Sequence, residues 1–119
     1  MVKQLEDRQP VFFNPEGISW GTTCVYDAAL KRFLLSVTTH EKEGDWGLYE
    51  SKQPWGPWRT VAYADDLPQW TYAPAEKNRP AYSHTFPAKW ISADGKGLWC
   101  VFDRGDCFNL VQCNLRVQR

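Results

Sequence analysis

Alternation of apolar and polar side chains over four to eight residues marks a strand with one buried face, and this chain shows it repeatedly. Trp20-Gly-Thr-Thr-Cys-Val-Tyr-Asp27 reads as a strand with Trp20, Thr22, Cys24 and Tyr26 on one face. Asp27-Ala-Ala-Leu-Lys31 is a turn into a second strand, Arg32 to His40. A charged loop, Glu41 to Asp45, leads to a third strand, Trp46 to Ser51. Pro54-Trp-Gly-Pro57 is dense turn chemistry, and a fourth strand runs from Trp58 to Ala64. Four consecutive strands on short loops predict an up-and-down antiparallel sheet. Asp27 to Leu35 also reads as an N-capped helix, since Ala, Leu, Lys and Arg are good helix formers. That helix would span only about two turns and run straight into Ser-Val-Thr-Thr, so a strand is expected.

Residues 65–80 carry three prolines and no period. A loop of that length in a compact domain usually has a function or moves. Beyond it, Ser83 to Ile91 reads as extended and Ser92-Ala-Asp-Gly-Lys-Gly97 as a turn. Leu98 to Phe102 and Phe108 to Val117 read as strands joined by Asp103-Arg-Gly-Asp106. The second sheet thus has three strands, and Pro10-Val-Phe-Phe-Asn14 is the expected fourth. The expected organisation is a single all-β domain over 1–119, with a flexible N-terminus at 1–9. A first sheet spans 17–64, a long loop 65–80 and a second sheet 81–117.

Composition narrows the function classes. The chain has 119 residues, enough for one domain, with 43% hydrophobic and 24% charged residues, the balance of a globular protein. Fourteen basic residues against fourteen acidic ones give zero net charge, which argues against a nucleic-acid partner or a polybasic membrane surface. No apolar run approaches the roughly 18 residues of a membrane span. Met1 to Pro10 is polar and lacks the apolar centre of a signal peptide, so a cytoplasmic location is expected. Cys24, Cys100, Cys107 and Cys113 fit neither a zinc ribbon nor a CxxC redox pair. In a cytosolic setting they are expected as reduced, buried structural thiols. Cys107 and Cys113 would stand about 20 Å apart along an extended strand. Seven Trp, five Tyr and six Phe, with eight Gly and eight Pro, suit short strands and tight turns. Trp20, Trp46, Trp90 and Trp99 lie in predicted strands and are expected in the core.

Two stretches carry a resemblance. One is Gly17-Ile-Ser-Trp-Gly-Thr-Thr-Cys-Val-Tyr-Asp27 with Leu30-Lys-Arg-Phe-Leu-Leu35, Gly47-Leu-Tyr-Glu-Ser51 and Pro54-Trp-Gly-Pro-Trp58. The other is Phe86-Pro-Ala-Lys-Trp-Ile-Ser-Ala-Asp-Gly95 with Leu98-Trp99, Phe102 and Phe108-Asn-Leu-Val111. In this order, from Pro10 to Val117, the chain resembles the final blades of an uncharacterised bacterial β-propeller family of the DUF4185 type. That family is similar in turn to five-bladed propeller glycosidases. Ser92, Asp94 and Trp99 also resemble the sialidase Asp-box S-x-D-x-G-x-x-W, with Lys96 standing where the box has glycine. In sialidases the box holds a hairpin and takes no part in catalysis. The resemblance implies two antiparallel propeller-blade-like sheets, incomplete as a propeller within one chain, since a propeller needs about four or more blades. The glycosidase carboxylates come from earlier blades, so no catalytic residue carries over. Exposed sheet edges and faces then invite a second copy, and a homo-oligomer is the expected assembly.

The candidate chemistry is sparse. Glycoside hydrolysis needs two carboxyl groups about 5 to 10 Å apart, and no spacing among Asp45, Glu50, Asp65, Asp66 and Asp103 singles out a pair. His40 and His84 are the only histidines; neither accompanies a nucleophile motif. No phosphate-binding glycine loop occurs, because Gly95 and Gly97 lie in a hairpin and precede no helix. No metal or cofactor is expected. Asp103-Arg-Gly-Asp106 lacks the ligand spacing of a calcium loop. The aromatic residues suggest more. Sugar rings stack their C–H faces on Trp and Tyr while charged neighbours bond the hydroxyls. Asp65, Asp66, Trp70, Tyr72, Arg79 and Tyr82 supply that mixture on and beside the long loop, and Lys89 extends it. The expected function is therefore a non-enzymatic, oligomeric binding module with a carbohydrate ligand. The alternatives are a glycoside hydrolase site assembled between subunits and a structural protein without a small ligand.

Overall fold

The computed structural model describes residues 9–15, 17–18, 21–38, 46–64, 81–104 and 107–118. These residues form seven strands in two antiparallel sheets, with no α-helix among them. The first sheet takes β1 (Thr23–Asp27), β2 (Arg32–Thr38), β3 (Trp46–Ser51) and β4 (Arg59–Ala64) in chain order. The second takes β5 (Ala81–Thr85), β6 (Gly97–Arg104) and β7 (Cys107–Asn114), also in chain order. No described sheet closes into a barrel, and each has two edges.

The helix alternative for Asp27–Leu35 fails for a tertiary reason. The Asp27 carboxylate accepts the Leu30 N–H at 3.1 Å, and Lys31 takes a φ of 54°, so the cap residue closes a tight turn instead of a helix. Beyond it β2 is buried on both faces: Leu34, Ser36 and Thr38 point to one side, Leu35 and Val37 to the other. A run of apolar residues suits a strand covered on both sides.

The two sheets pack through one face each. From the first come Val25, Leu34, Trp46, Leu48 and Ala62; from the second come Leu98, Cys100 and Phe102, with Phe86 between. The Trp46 indole N–H reaches the Ser36 hydroxyl at 2.8 Å inside this core. The turn joining β5 to β6 docks on the turn joining β1 to β2 at one end of the sandwich.

Three expectations need correction. Pro10–Asn14 forms no strand of the second sheet; it lies against the first. The Trp58 indole donates to the Val11 carbonyl at 2.8 Å, and Phe12 packs on Tyr49 with ring centroids 4.7 Å apart. Tyr49 stands on the outer face of the first sheet with the buried Leu35 and Val37, and burying apolar surface there favours this placement. The Ser83–Ile91 stretch is not one extended segment, because after β5 the chain makes a 3₁₀ turn at Ala88–Trp90. Trp90 and Trp99 are not core residues: they are 46% and 39% exposed. Trp99 alternates with Leu98 and Cys100, and only one face of β6 can meet the first sheet. Trp46 is buried as expected, and Trp20 lies outside the described residues.

Candidate functional site

Of the residues read as ligand-binding, Asp65, Asp66, Trp70, Tyr72 and Arg79 lie outside the described residues, as does His40. Tyr82 is half-buried in β5, opposite Asp103 of β6. Lys89 is exposed on the 3₁₀ turn, beside the exposed Trp90. The two residues stand on separate elements, with Ser83 to Ala88 between them along the chain.

The outer face of the second sheet presents a more continuous surface. Register sets Trp99 opposite Gln112, Val101 opposite Leu110 and Asp103 opposite Phe108. Directly opposed residues share a face, so these side chains form one row of pairs pointing away from the core. Leu110 is 48% exposed and Phe108 73% exposed. Their neighbours in β7, Asn109, Val111 and Cys113, turn inward instead. β7 is also an edge strand, and Cys107–Asn114 contains no charged residue and no proline. Edge strands usually carry such residues as protection against pairing with another chain.

A second candidate lies at the end of the first sheet where the two turns dock. Arg32, Glu50 and Arg59 occupy corresponding ends of β2, β3 and β4, on the face that the core uses further along. Arg32 Nε meets Glu50 Oε2 at 2.8 Å, and Arg59 Nε meets Glu50 Oε1 at 3.5 Å. The Arg32 guanidinium also donates to the Lys31 carbonyl at 3.0 Å. Two hollows of about 320 and 360 Å³ border this trio. The larger lies between the sheet and the segment after β7, which the Leu115 N–H ties to the Lys96 carbonyl at 2.7 Å. Leu30, Leu34, Leu115 and Val117 line it with apolar surface, and Arg116 adds a third guanidinium. The sequence reading missed this cluster. Its signal was the hairpin register, which puts Glu50 directly across from Arg59 and two positions along the partner strand from Arg32.

His84 and Asp94 are committed to structure. His84 is fully buried, stacked on Phe102 with centroids 5.4 Å apart, and lies against Trp46. Its Nδ1 stands 3.5 Å from the Thr38 hydroxyl, and burial lowers its pKa to about 4. Asp94 accepts from the Ser92 hydroxyl at 2.6 Å and the Lys96 N–H at 3.0 Å, which hold its carboxylate below the usual range. The Ser92 hydroxyl oxygen in turn accepts the Gly97 N–H at 2.7 Å, so the Asp-box-like residues form a closed turn. Cys24 is exposed, Cys100 buried and Cys113 half-buried, all three as free thiols; burial of Cys24 as a structural thiol is thereby corrected. No group of three or more His, Cys, Asp and Glu among the described residues is placed to hold a metal.

No protein-family model, curated protein or solved structure matches the chain. No helix among the described residues is long and apolar enough to cross a membrane.

Proposed function

We propose that the protein is a non-enzymatic binding module that works as a homo-oligomer on a partial β-propeller scaffold, with a carbohydrate as its ligand class. The observation that carries the reading is the outer face of the second sheet, where Trp99, Leu110 and Phe108 stand exposed around the half-buried Val101. A contiguous apolar face bordered by polar residues is the usual mark of an interaction surface. Phe108 and Leu110 lie on the uncharged edge strand, the part of the face suited to a second copy. Trp99 lies nearer the other end, about 13 Å along the strand from the Phe108 pair. There an indole beside the Gln112 amide suits a sugar ring, with C–H groups on the ring and hydroxyls on the amide. Two of the described carboxylates support the non-enzymatic part: Glu50 sits between two arginines and Asp94 is tied into its turn.

Light scattering on a size-exclusion column tests the assembly. The expected species is a dimer or larger, which Phe108→Asp or Leu110→Asp converts to a folded monomer. A wild-type monomer at every concentration rejects the oligomer. Titration with a panel of oligosaccharides, followed by Trp fluorescence, tests the ligand class. A response that Trp99→Ala abolishes supports it, and silence across the panel rejects it.

A further inference from the structure

We propose that the hollow between the first sheet and the segment after β7 is a binding site for a small monocarboxylate with an apolar body. The inference is independent of the oligomer and of the carbohydrate reading. Three arginines, Arg32, Arg59 and Arg116, line this hollow against one carboxylate, Glu50, so the walls carry an excess of positive charge. Glu50 spends both oxygens on the two Nε atoms. Arg32 also commits Nη1 to the Leu30 and Lys31 carbonyls, so its Nη2 and both Nη groups of Arg59 are the donors left to meet an incoming anion.

The Arg59 contact is not the geometry of a structural clamp. It is a single 3.5 Å approach by a side chain 82% exposed, whereas a stabilising arginine–carboxylate pair uses two parallel hydrogen bonds. Exposed pairs of this kind contribute little to folding. Glu50 nonetheless meets both arginines, and all three residues line the same hollow. Arg116 lines the space with no carboxylate other than Glu50 among the lining residues. The opposite requirement, an apolar surface to take the body of the ligand, is met by Leu30, Leu34, Leu115 and Val117. A volume of about 360 Å³ lies at the lower end of ligand sites, so the ligand is small. Charge alone does not choose between a carboxylate and a phosphate; the apolar lining does, because a bare phosphate leaves Leu30, Leu34, Leu115 and Val117 without a partner.

The test uses the full chain and hexanoate as probe, with hexanol as its uncharged counterpart and inorganic phosphate as a plain anion. Amide shifts in ¹⁵N–¹H spectra report binding without reliance on any activity. The expected result is a saturable response to hexanoate at Leu30, Arg32, Arg59 and Leu115 to Val117, with no such response to hexanol. The double substitution Arg59→Gln and Arg116→Gln weakens hexanoate at least tenfold and leaves the remaining amide positions in place. No saturable response to hexanoate overturns the proposal, as does an equal response to hexanol. Unchanged affinity in the double variant overturns the assignment to these arginines. Tighter binding of phosphate than of hexanoate rejects the carboxylate class. Both arginines are exposed, so the double variant keeps the fold and its spectrum decides the question.

Discussion

Gly95 comes so close to Asp27 that a Cβ on it would stand 2.5 Å from the Asp27 carboxylate oxygen and 2.8 Å from the Leu30 side chain. This contact joins the two sheets at one end, since Gly95 belongs to the turn before β6 and Asp27 ends β1. Gly95 also takes a φ of +75°, a conformation that costs an L-residue about 1–2 kcal/mol. Gly95→Ala therefore meets backbone strain and a steric clash together. We expect a loss of at least about 2 kcal/mol in urea unfolding. A loss within the ordinary scatter of surface substitutions would show that the two turns do not dock this way.

His84 makes stability depend on pH in a defined window. Its pKa is about 4 when folded against an ordinary value near 6.5. Between those values the unfolded chain binds a proton that the folded protein refuses, so its contribution is complete above pH 6.5 and is lost as pH falls toward 4. The full loss is on the order of 3 kcal/mol at one pKa unit per 1.36 kcal/mol. Denaturant midpoints across this range should fall steeply in the wild type and more gently in His84→Leu. Parallel curves would mean that His84 reaches water.

Trp46 and Ser36 form a hydrogen bond between buried side chains, and that bond fixes the indole. Trp46→Phe leaves the Ser36 hydroxyl without its donor and opens space in the core, at a cost of about 1–3 kcal/mol. Adding Ser36→Ala should recover part of that loss, because the stranded hydroxyl is then gone. Additive effects of the two substitutions would indicate that the bond contributes nothing.

The cysteines should separate by exposure. Cys24 is exposed and Cys100 fully buried, where burial drives its thiol far above the ordinary range and keeps it from ionising. Brief treatment with a maleimide followed by peptide mass spectrometry should label Cys24 in the folded protein and Cys100 only after denaturation. Early labelling of Cys100 would place the face of β6 that carries it outside the core.

The relation between sequence and structure differs from element to element. Trp46–Ser51 was readable to the residue, because a charged loop and a Pro-Gly turn bound it on either side. The Ser92–Gly97 turn was readable as well, since its Ser, Asp and Gly bond one another without help from the rest of the fold. The arginine–glutamate trio was not, because its members are 18 and 9 positions apart and only strand register brings them together.

Local chemistry in the sequence thus determined the seven strands of the two antiparallel sheets and where most of their turns fall, but wrongly offered Pro10–Asn14 as an eighth. Period-two alternation names two faces per strand, yet it does not say which one turns inward when both carry apolar groups. In β7 the choice went against the larger side chains: Phe108 and Leu110 face out, while Asn109, Val111 and Cys113 face in. The same indeterminacy sent Trp99 to the surface and brought Pro10–Asn14 to the outer face of the first sheet. Those outcomes depend on how much apolar area each face can bury against its neighbour, a quantity that exists only once the two sheets have met.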